Sequence, residues 1–294
     1  MPPLPARLFG PAVAVPMIFG AATGLPAQSC GSPCVGPLRG AVMAAGGGTL
    51  GDEVYEEFVR LAGGSEARIV LIPTAGVEYG RHDGWAALER LRDAGVTRLE
   101  VLHTRNRAIA DLDAFAAPLR KATGVWLSGG RQWRLVDPYL NTRTHTELRN
   151  VLARGGIVGG NSAGASALAS FLVRGGEEND VVATPEREEG FGFLRNVAID
   201  QHLVARGREE DLLQVLSTKP HLLGLGLNEG AALIITRDFA RVMGNQVVVY
   251  DVTDPSMLIP LRWLSPGDIY DLGARRMVRE RQMEEPPLLV PWAM

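Results

Sequence analysis

Residues 157–173 read IVGGNSAGASALASFLV. The stretch begins as a short apolar strand and continues as a small-residue helix, with Ser162 at the junction. Gly160-Asn161-Ser162-Ala163-Gly164 fits G-x-S-x-G in the strand–turn–helix context that gives the motif meaning. A sharp turn there forces the serine backbone into strain, and side chains two residues to either side would clash. The Ala163 N–H would sit at a helix N-terminus, where the dipole favours a developing negative charge. Alone, the same residues equally describe a close-packed turn with Ser162 as an N-cap. A base and an orienting acid decide between the two.

Working outward, apolar runs alternate with amphipathic ones from residue 41. AVMAAGGG, ARIVLIPTAG, LEVLH, VWLSGG and IVGG read as strands. GDEVYEEFVRLAGG places Val54, Phe58, Val59 and Leu61 on one helical stripe, and GWAALERLRDAG and HTELRNVLARGG are helices with glycine stops. AFAAPLRKATG is helical but disturbed by Pro118. Strands apolar on both faces and separated by helices imply an α/β fold with a mostly parallel sheet covered on both sides. AGASALASFLV continues as one helix, and LLGLGLNEG, ALIITR and QVVVYDV lie close enough to form hairpins at one edge.

Composition narrows the function. The chain has 294 residues, 46% hydrophobic and 21% charged, with a formal net charge of −3. That balance is globular and gives no basic surface for nucleic acid. Residues 1–35 differ: one arginine, Arg7, precedes an apolar run from Leu8 to Ala22 and then small residues up to Ala27. The pattern predicts a secretory signal and export, with the domain proper at 36–294. Pro11 and Pro16 and the short run argue against a membrane span. Cys30 and Cys34 are the only cysteines, suited to a local disulfide and not to a metal site, so no metal and no cofactor are expected.

In such a sheet, functional groups gather at the carboxyl ends of strands. Among the five histidines, His82 lies in a polar loop, His145 opens a helix and is expected to be solvated, and His221 follows Pro220 in a turn. His103 ends a strand and is the second candidate. His202 ends NVAIDQH beside Asp200 and Gln201, and Glu229 ends LLGLGLNE. Nucleophile, base and orienting carboxylate then follow in the order Ser162, His202, Glu229.

Four segments resemble the cyanophycinase and dipeptidase E family of serine peptidases: LSGGRQWRL (127–135), GGNSAGAS (159–166), IDQHLVARGRE (199–209) and LGLGLNEGAAL (223–233). The resemblance covers roughly residues 40 to 255. It implies a three-layer, class I glutamine amidotransferase-like (flavodoxin-like) domain with a nucleophile elbow. It also implies Ser162 as nucleophile, His202 as base and Glu229 as acid, with an oxyanion hole from the Ala163 N–H and one from Gly129 or Gly130. Gln132, Asp200, Gln201, Arg206 and Arg208 match its substrate-pocket positions. Arg206 and Arg208 would grip aspartyl carboxylates and Asp200 would receive a guanidinium or α-amino group; the alternative for both arginines is surface pairing with Glu209 and Glu210. The implied activity is hydrolysis of cyanophycin or related aspartyl and β-aspartyl peptides through an acyl-enzyme, with another peptide specificity on the same fold as the alternative; the implied partner is an aspartyl- or arginine-containing peptide, with a homodimer left open. Three positions depart from the cyanophycinase pattern: Asp211 replaces an Arg, Asn228 an Asp, and Arg131 an acidic residue.

A rival fingerprint lies at Gly46-Gly47-Gly48-Thr49-Leu50-Gly51, which matches the dinucleotide-binding G-x-G-x-x-G between a strand and a helix. The next strand ends IPTAG and offers no acid for a ribose, which argues against a nicotinamide enzyme. A non-catalytic binding protein on a decayed hydrolase fold is the other alternative.

Overall fold

The computed structural model describes residues 34–76, 86–177, 180–182, 185–253 and 259–279. The export segment, Cys30 and His82 therefore lie outside the described residues. Cys34 is disulfide-bonded. Residues 34–37 are held to the body: Val35 N–H donates to Asp238 Oδ1 at 2.7 Å and Gly36 N–H to the Arg237 carbonyl at 2.7 Å.

Among the described residues the strands form two sheets. The larger has a parallel centre of β1 (Ala41–Ala45), β5 (Ile157–Asn161), β4 (Gly124–Leu127), β2 (Arg68–Ile72) and β3 (Arg98–Val101), in that spatial order. Beyond β1 it continues antiparallel through β9 (Ala231–Thr236), β10 (Phe239–Gly244), β13 (Ile269–Asp271) and β14 (Arg276–Arg279). The smaller sheet runs β6 (Ala169–Phe171), β7 (Leu194–Gln201), β8 (Leu223–Leu227), β11 (Val247–Tyr250) and β12 (Leu261–Leu264), parallel as far as β8.

The α/β expectation with buried parallel strands holds. All five residues of β1 are buried, as a strand covered on both faces requires. Met43 and Ala45 face α1 (Asp52–Leu61) and α2 (Ala86–Asp93), where Val54, Tyr55, Phe58, Val59 and Leu91 close one core. Leu61 of the expected stripe only flanks this core, and Tyr55 takes its place. Val42 and Ala44 face a second core shared by α5 (Trp133–Tyr139), α6 (Arg143–Ala153), α7 (Ala163–Leu168) and the inner residues Val197, Ile199 and Leu225 of the smaller sheet. The outer face of that sheet is covered by α8 (Asp211–Thr218) through Leu212, Val215 and Leu216. Two four-residue helices, α3 (Arg107–Ala110) and α4 (Asp113–Ala116), precede a 3₁₀ turn that carries Pro118.

Two details differ from the sequence reading. The helix after Ser162 stops at Leu168, and Ala169–Phe171 pairs with β7 as a strand. The three late apolar runs do not share one edge. β8 and β11 pair in the smaller sheet, whereas β9 crosses to the larger one and forms its hairpin with β10. Fully buried runs look alike in either sheet, so composition does not say which one a strand joins. Among the described residues no helix is long and apolar enough to cross a membrane.

Candidate active site

Ser162 leaves β5 with φ 53° and ψ −118°, a region that non-glycine residues rarely adopt. Its neighbours make the turn sterically possible. A Cβ on Gly164 would lie 2.1 Å from the Leu127 carbonyl oxygen, and one on Gly160 would lie 2.8 Å from the backbone of Gly164. Ser162 N–H donates to the Ala45 carbonyl at 2.9 Å, tying the turn to the end of β1. Trp126 Nε1–H donates to Asn161 Oδ1 at 3.1 Å and fixes the residue before the serine. The strain at Ser162 is thus held by packing on several sides.

His202 follows directly on β7 and also has positive φ, 56°. The sharp bend turns its ring back towards β5. Nε2 lies 2.8 Å from Ser162 Oγ, and Nδ1 lies 2.6 Å from Glu229 Oε1. A carboxylate only accepts, so Nδ1 carries the proton and Nε2 accepts from the serine hydroxyl. Burial pushes the His202 pKa below the ordinary value; the Glu229 hydrogen bond opposes this, and Arg206 and Arg208 add to the lowering. A neutral imidazole able to accept a proton is the result.

The glycine run of the rival fingerprint lies over this relay. A Cβ on Gly47 (φ 88°) would sit 2.7 Å from the His202 ring and 3.0 Å from Ser162 Cβ; one on Gly48 (φ 64°) would sit 2.7 Å from the Glu229 carboxylate. The backbone is equally engaged: His202 N–H donates to the Gly46 carbonyl, Gly46 N–H to Ala231, and Gly230 N–H to Gly47. Asp52 and Glu53 occupy the first turn of α1, where a pyrophosphate would have to sit. The glycines serve close approach to His202 and Glu229, not a dinucleotide.

The remaining pocket residues divide. Gln201 is buried with Oε1 3.4 Å from Ser162 Oγ. Gln132 is buried and donates from Nε2 to the Val173 carbonyl at 2.7 Å. Gly129 adjoins the serine, since a Cβ there would come within 3.1 Å of Ser162 Cβ. Gly130 (φ 142°) presses on Ala75, where a Cβ would fall 2.0 Å from the carbonyl oxygen. Ala163 is the first residue of α7, so its N–H has no acceptor within the helix. Arg206 is exposed at the end of a 3₁₀ turn, its N–H donating to the His202 carbonyl at 3.0 Å.

Asp200 has both carboxylate oxygens engaged within the protein. It is fully buried, with Arg174 Nη2 and Arg208 Nη1 each at 3.5 Å and the Gln201 N–H at 2.9 Å. Burial raises its pKa against the pull of the two arginines. Arg208 is also buried and reaches the Gln201 carbonyl at 3.2 Å. Neither Arg206 nor Arg208 pairs with Glu209 or Glu210 among the described residues. Arg174, which no motif singled out, joins Asp200 to Asp211 and has φ 56°. Its partners stand 26 and 37 residues away, so no local pattern marks it.

The other histidines are elsewhere. His145 is buried, not solvated. Nδ1 accepts from Asn141 N–H at 3.1 Å and Nε2 meets the Phe191 carbonyl at 2.9 Å. Burial lowers its pKa to about 4. His103 Nδ1 lies 2.9 Å from Thr74 Oγ1, which also meets Tyr139 OH at 2.7 Å.

The chain is similar to known peptidases in sequence and in fold. The sequence profile of Peptidase family S51 matches residues 42–243. A cyanophycinase of Synechococcus elongatus is 32% identical over 270 residues, covering 81% of each chain. A cyanophycinase of Geminocystis herdmanii is 30% identical over 218 residues, covering 72% of this chain and 80% of that one. Among solved structures, a peptidase from an acI-B1 actinobacterium superposes with a TM-score of 0.66 at 22% identity, over 80% of this chain and 98% of that one. A putative peptidase E from Listeria monocytogenes EGD-e gives 0.53 at 15% identity, over 70% and 98%. The α/β architecture with mixed sheets is that of these structures. The chain belongs to peptidase family S51 and is a serine-type peptidase.

Proposed function

We propose that the chain hydrolyses aspartyl or β-aspartyl peptides through Ser162, His202 and Glu229, within a glutamine amidotransferase-like domain. The observation that carries this is the unbroken relay of 2.8 Å and 2.6 Å from serine hydroxyl to imidazole to carboxylate. Ser162 Oγ attacks the scissile carbonyl carbon while His202 Nε2 takes its proton. Glu229 holds the tautomer and steadies the imidazolium. The oxyanion faces the Ala163 N–H at the start of α7 and an N–H of the Gly129–Gly130 pair. Collapse breaks the C–N bond, and the amine leaves with the proton from His202. Water then attacks the acyl-enzyme by the same route in reverse, freeing the acid and Ser162.

Arg206 supports an anionic substrate. Among the described residues its guanidinium has no ion pair, and it lies close enough to His202 to lower its pKa. Asp211 in place of an arginine, and Asp200 sealed beneath it, leave less positive charge than the cyanophycin-degrading pattern carries. Short aspartyl peptides therefore fit better than the polymer.

Labelling with a fluorophosphonate probe tests the chemistry, and a panel of cyanophycin, β-Asp-Arg and α- and β-aspartyl dipeptides tests the substrate. The wild type should label and Ser162→Ala should not. Equal labelling of the two proteins defeats the assignment of Ser162. Release of products from non-aspartyl peptides alone defeats the substrate class.

A further inference from the structure

Asn161 is the last residue of β5 and the open position of the G-x-S-x-G turn, where the motif asks for no particular side chain. Its amide is nevertheless held in one orientation. The indole N–H of Trp126 can only donate, so the amide atom 3.1 Å from it is Oδ1, and the NH2 group turns the other way. Trp126 is itself fully buried against Tyr55 and Phe58, with ring centroids at 5.3 and 5.0 Å, and makes a rigid anchor. Among the described residues Nδ2 donates to nothing. It borders the space over Gly129, where a Cβ would lie 3.1 Å from Asn161 Nδ2 and 3.1 Å from Ser162 Cβ. Asn161, Ser162 and Gly129 are all half-buried, so this space opens outward and not into the core.

We propose that Asn161 is a further catalytic residue, whose Nδ2 donates a hydrogen bond to the oxyanion formed when Ser162 attacks the peptide carbonyl. The inference rests on Ser162 as the nucleophile, and it adds a side-chain donor to the N–H of Ala163 and that of the Gly129–Gly130 pair. Attack joins the carbonyl carbon to Ser162 Oγ, so the carbonyl oxygen comes to rest close to Ser162 Cβ. The space over Gly129 meets Ser162 Cβ on one side and the Asn161 amide on another. An oxygen held there by the Gly129 loop lies beside Nδ2. The bond from Trp126 orders the amide beforehand, so the donor needs no reorganisation while the charge develops. Being neutral, the amide gains strength as the oxygen becomes negative, whereas an arginine in its place would also grip a ground-state carboxylate.

The test measures the rate of fluorophosphonate labelling, which needs an activated serine and donors to the phosphoryl oxygen but no known substrate. It uses the full chain as wild type, Asn161→Ala and Asn161→Asp, with thermal unfolding followed alongside. Asn161→Ala should label on the order of 10²-fold more slowly, the usual cost of losing one such donor. Asn161→Asp should be slower still, because its carboxylate keeps the bond from Trp126 but sets a negative charge against the developing oxyanion. A side chain that served only to anchor Trp126 would give the reverse order. Asn161→Asp labelling faster than Asn161→Ala, or Asn161→Ala labelling at the wild-type rate, therefore overturns the inference. Should Asn161→Ala lack a thermal transition, Asn161→Leu, which keeps the bulk without donor or acceptor, takes its place under the same criteria. On any peptide the wild type cleaves, kcat should fall in the variants with KM little changed, and a change in KM alone overturns the assignment. Wild type that fails to label refutes the reading of Ser162 beneath it; wild type that labels while the variants keep its rate refutes Asn161 alone.

Discussion

His202 Nδ1 lies 2.6 Å from Glu229 Oε1, yet the His202 side chain is 8% exposed and that of Glu229 is 44% exposed. The acid thus meets the imidazole from the solvent side. Being half in water, it orients the ring without needing to be desolvated, and its negative charge is partly screened.

Removing that charge should slow the reaction and shift its pH dependence. Glu229→Gln should reduce kcat/KM on the order of 10²–10⁴-fold, the range for a positioned acid–base pair. Glu229 raises the His202 pKa against burial. Its loss should move the acid limb of the kcat/KM profile to lower pH, because the imidazole then protonates less readily. Rate against pH for wild type and variant checks both points, and near-wild-type activity would remove Glu229 from the mechanism.

Arg206 acts on the same group with the opposite sign. It lowers the His202 pKa, so Arg206→Gln should move the acid limb to higher pH. The same variant should raise KM for aspartyl substrates more than for their asparaginyl analogues. An unmoved profile together with an unchanged KM would place Arg206 outside the pocket.

Gly47 gives a test of close approach. Gly47→Ala puts a methyl 2.7 Å from the His202 ring at a φ of 88°. The backbone alone costs about 1–2 kcal/mol. Displacing the ring by about 1 Å can cost on the order of 10²-fold in rate. Thermal unfolding and kcat measured together should show a modest fall in Tm beside a large loss of turnover. No loss of turnover would mean that the ring can yield without harm.

His145 predicts an acid-side loss of stability. Its folded pKa, about 4, lies below the unfolded value near 6.5, so between these values the unfolded chain binds the extra proton. Stability should be unaffected by this group above pH 6.5 and fall as pH drops towards 4. The loss is about 1.4 kcal/mol at most for each pH unit between the two values. Urea unfolding from pH 7 to 4.5 for wild type and His145→Gln should show a shallower decline in the variant.

Much of the site was legible because three strands each end in a polar residue. Ser162, His202 and Glu229 each follow an apolar run, and it is their agreement in chain order, not any one of them, that points to the hydrogen-bonded set. Gly160 and Gly164 could be assigned from sterics alone, and their surroundings give that reason. Other features carry no local mark. The end of α7 at Leu168 has neither glycine nor proline to announce it, and apolar SFLV reads as more helix. Gly46–Gly48 matched a phosphate loop because any chain leaving a strand for a helix over a crowded site needs the same small residues. His145 sits among polar neighbours in the first turn of α6, which hides that its ring is folded in against Phe191 and Phe193. Asp200 read as a pocket residue by its position after a strand, and only long-range pairing with Arg174 and Arg208 shows it sealed.

The division into two sheets has one more consequence. Ser162 is delivered by β5 of the larger sheet, while His202 and Glu229 are delivered by β7 and β8 of the smaller one. The serine–imidazole distance is therefore a gauge of how the two halves of the molecule are seated on each other. Mild heat or denaturant that loosens this seam should silence turnover while each sheet still gives its full far-ultraviolet signal.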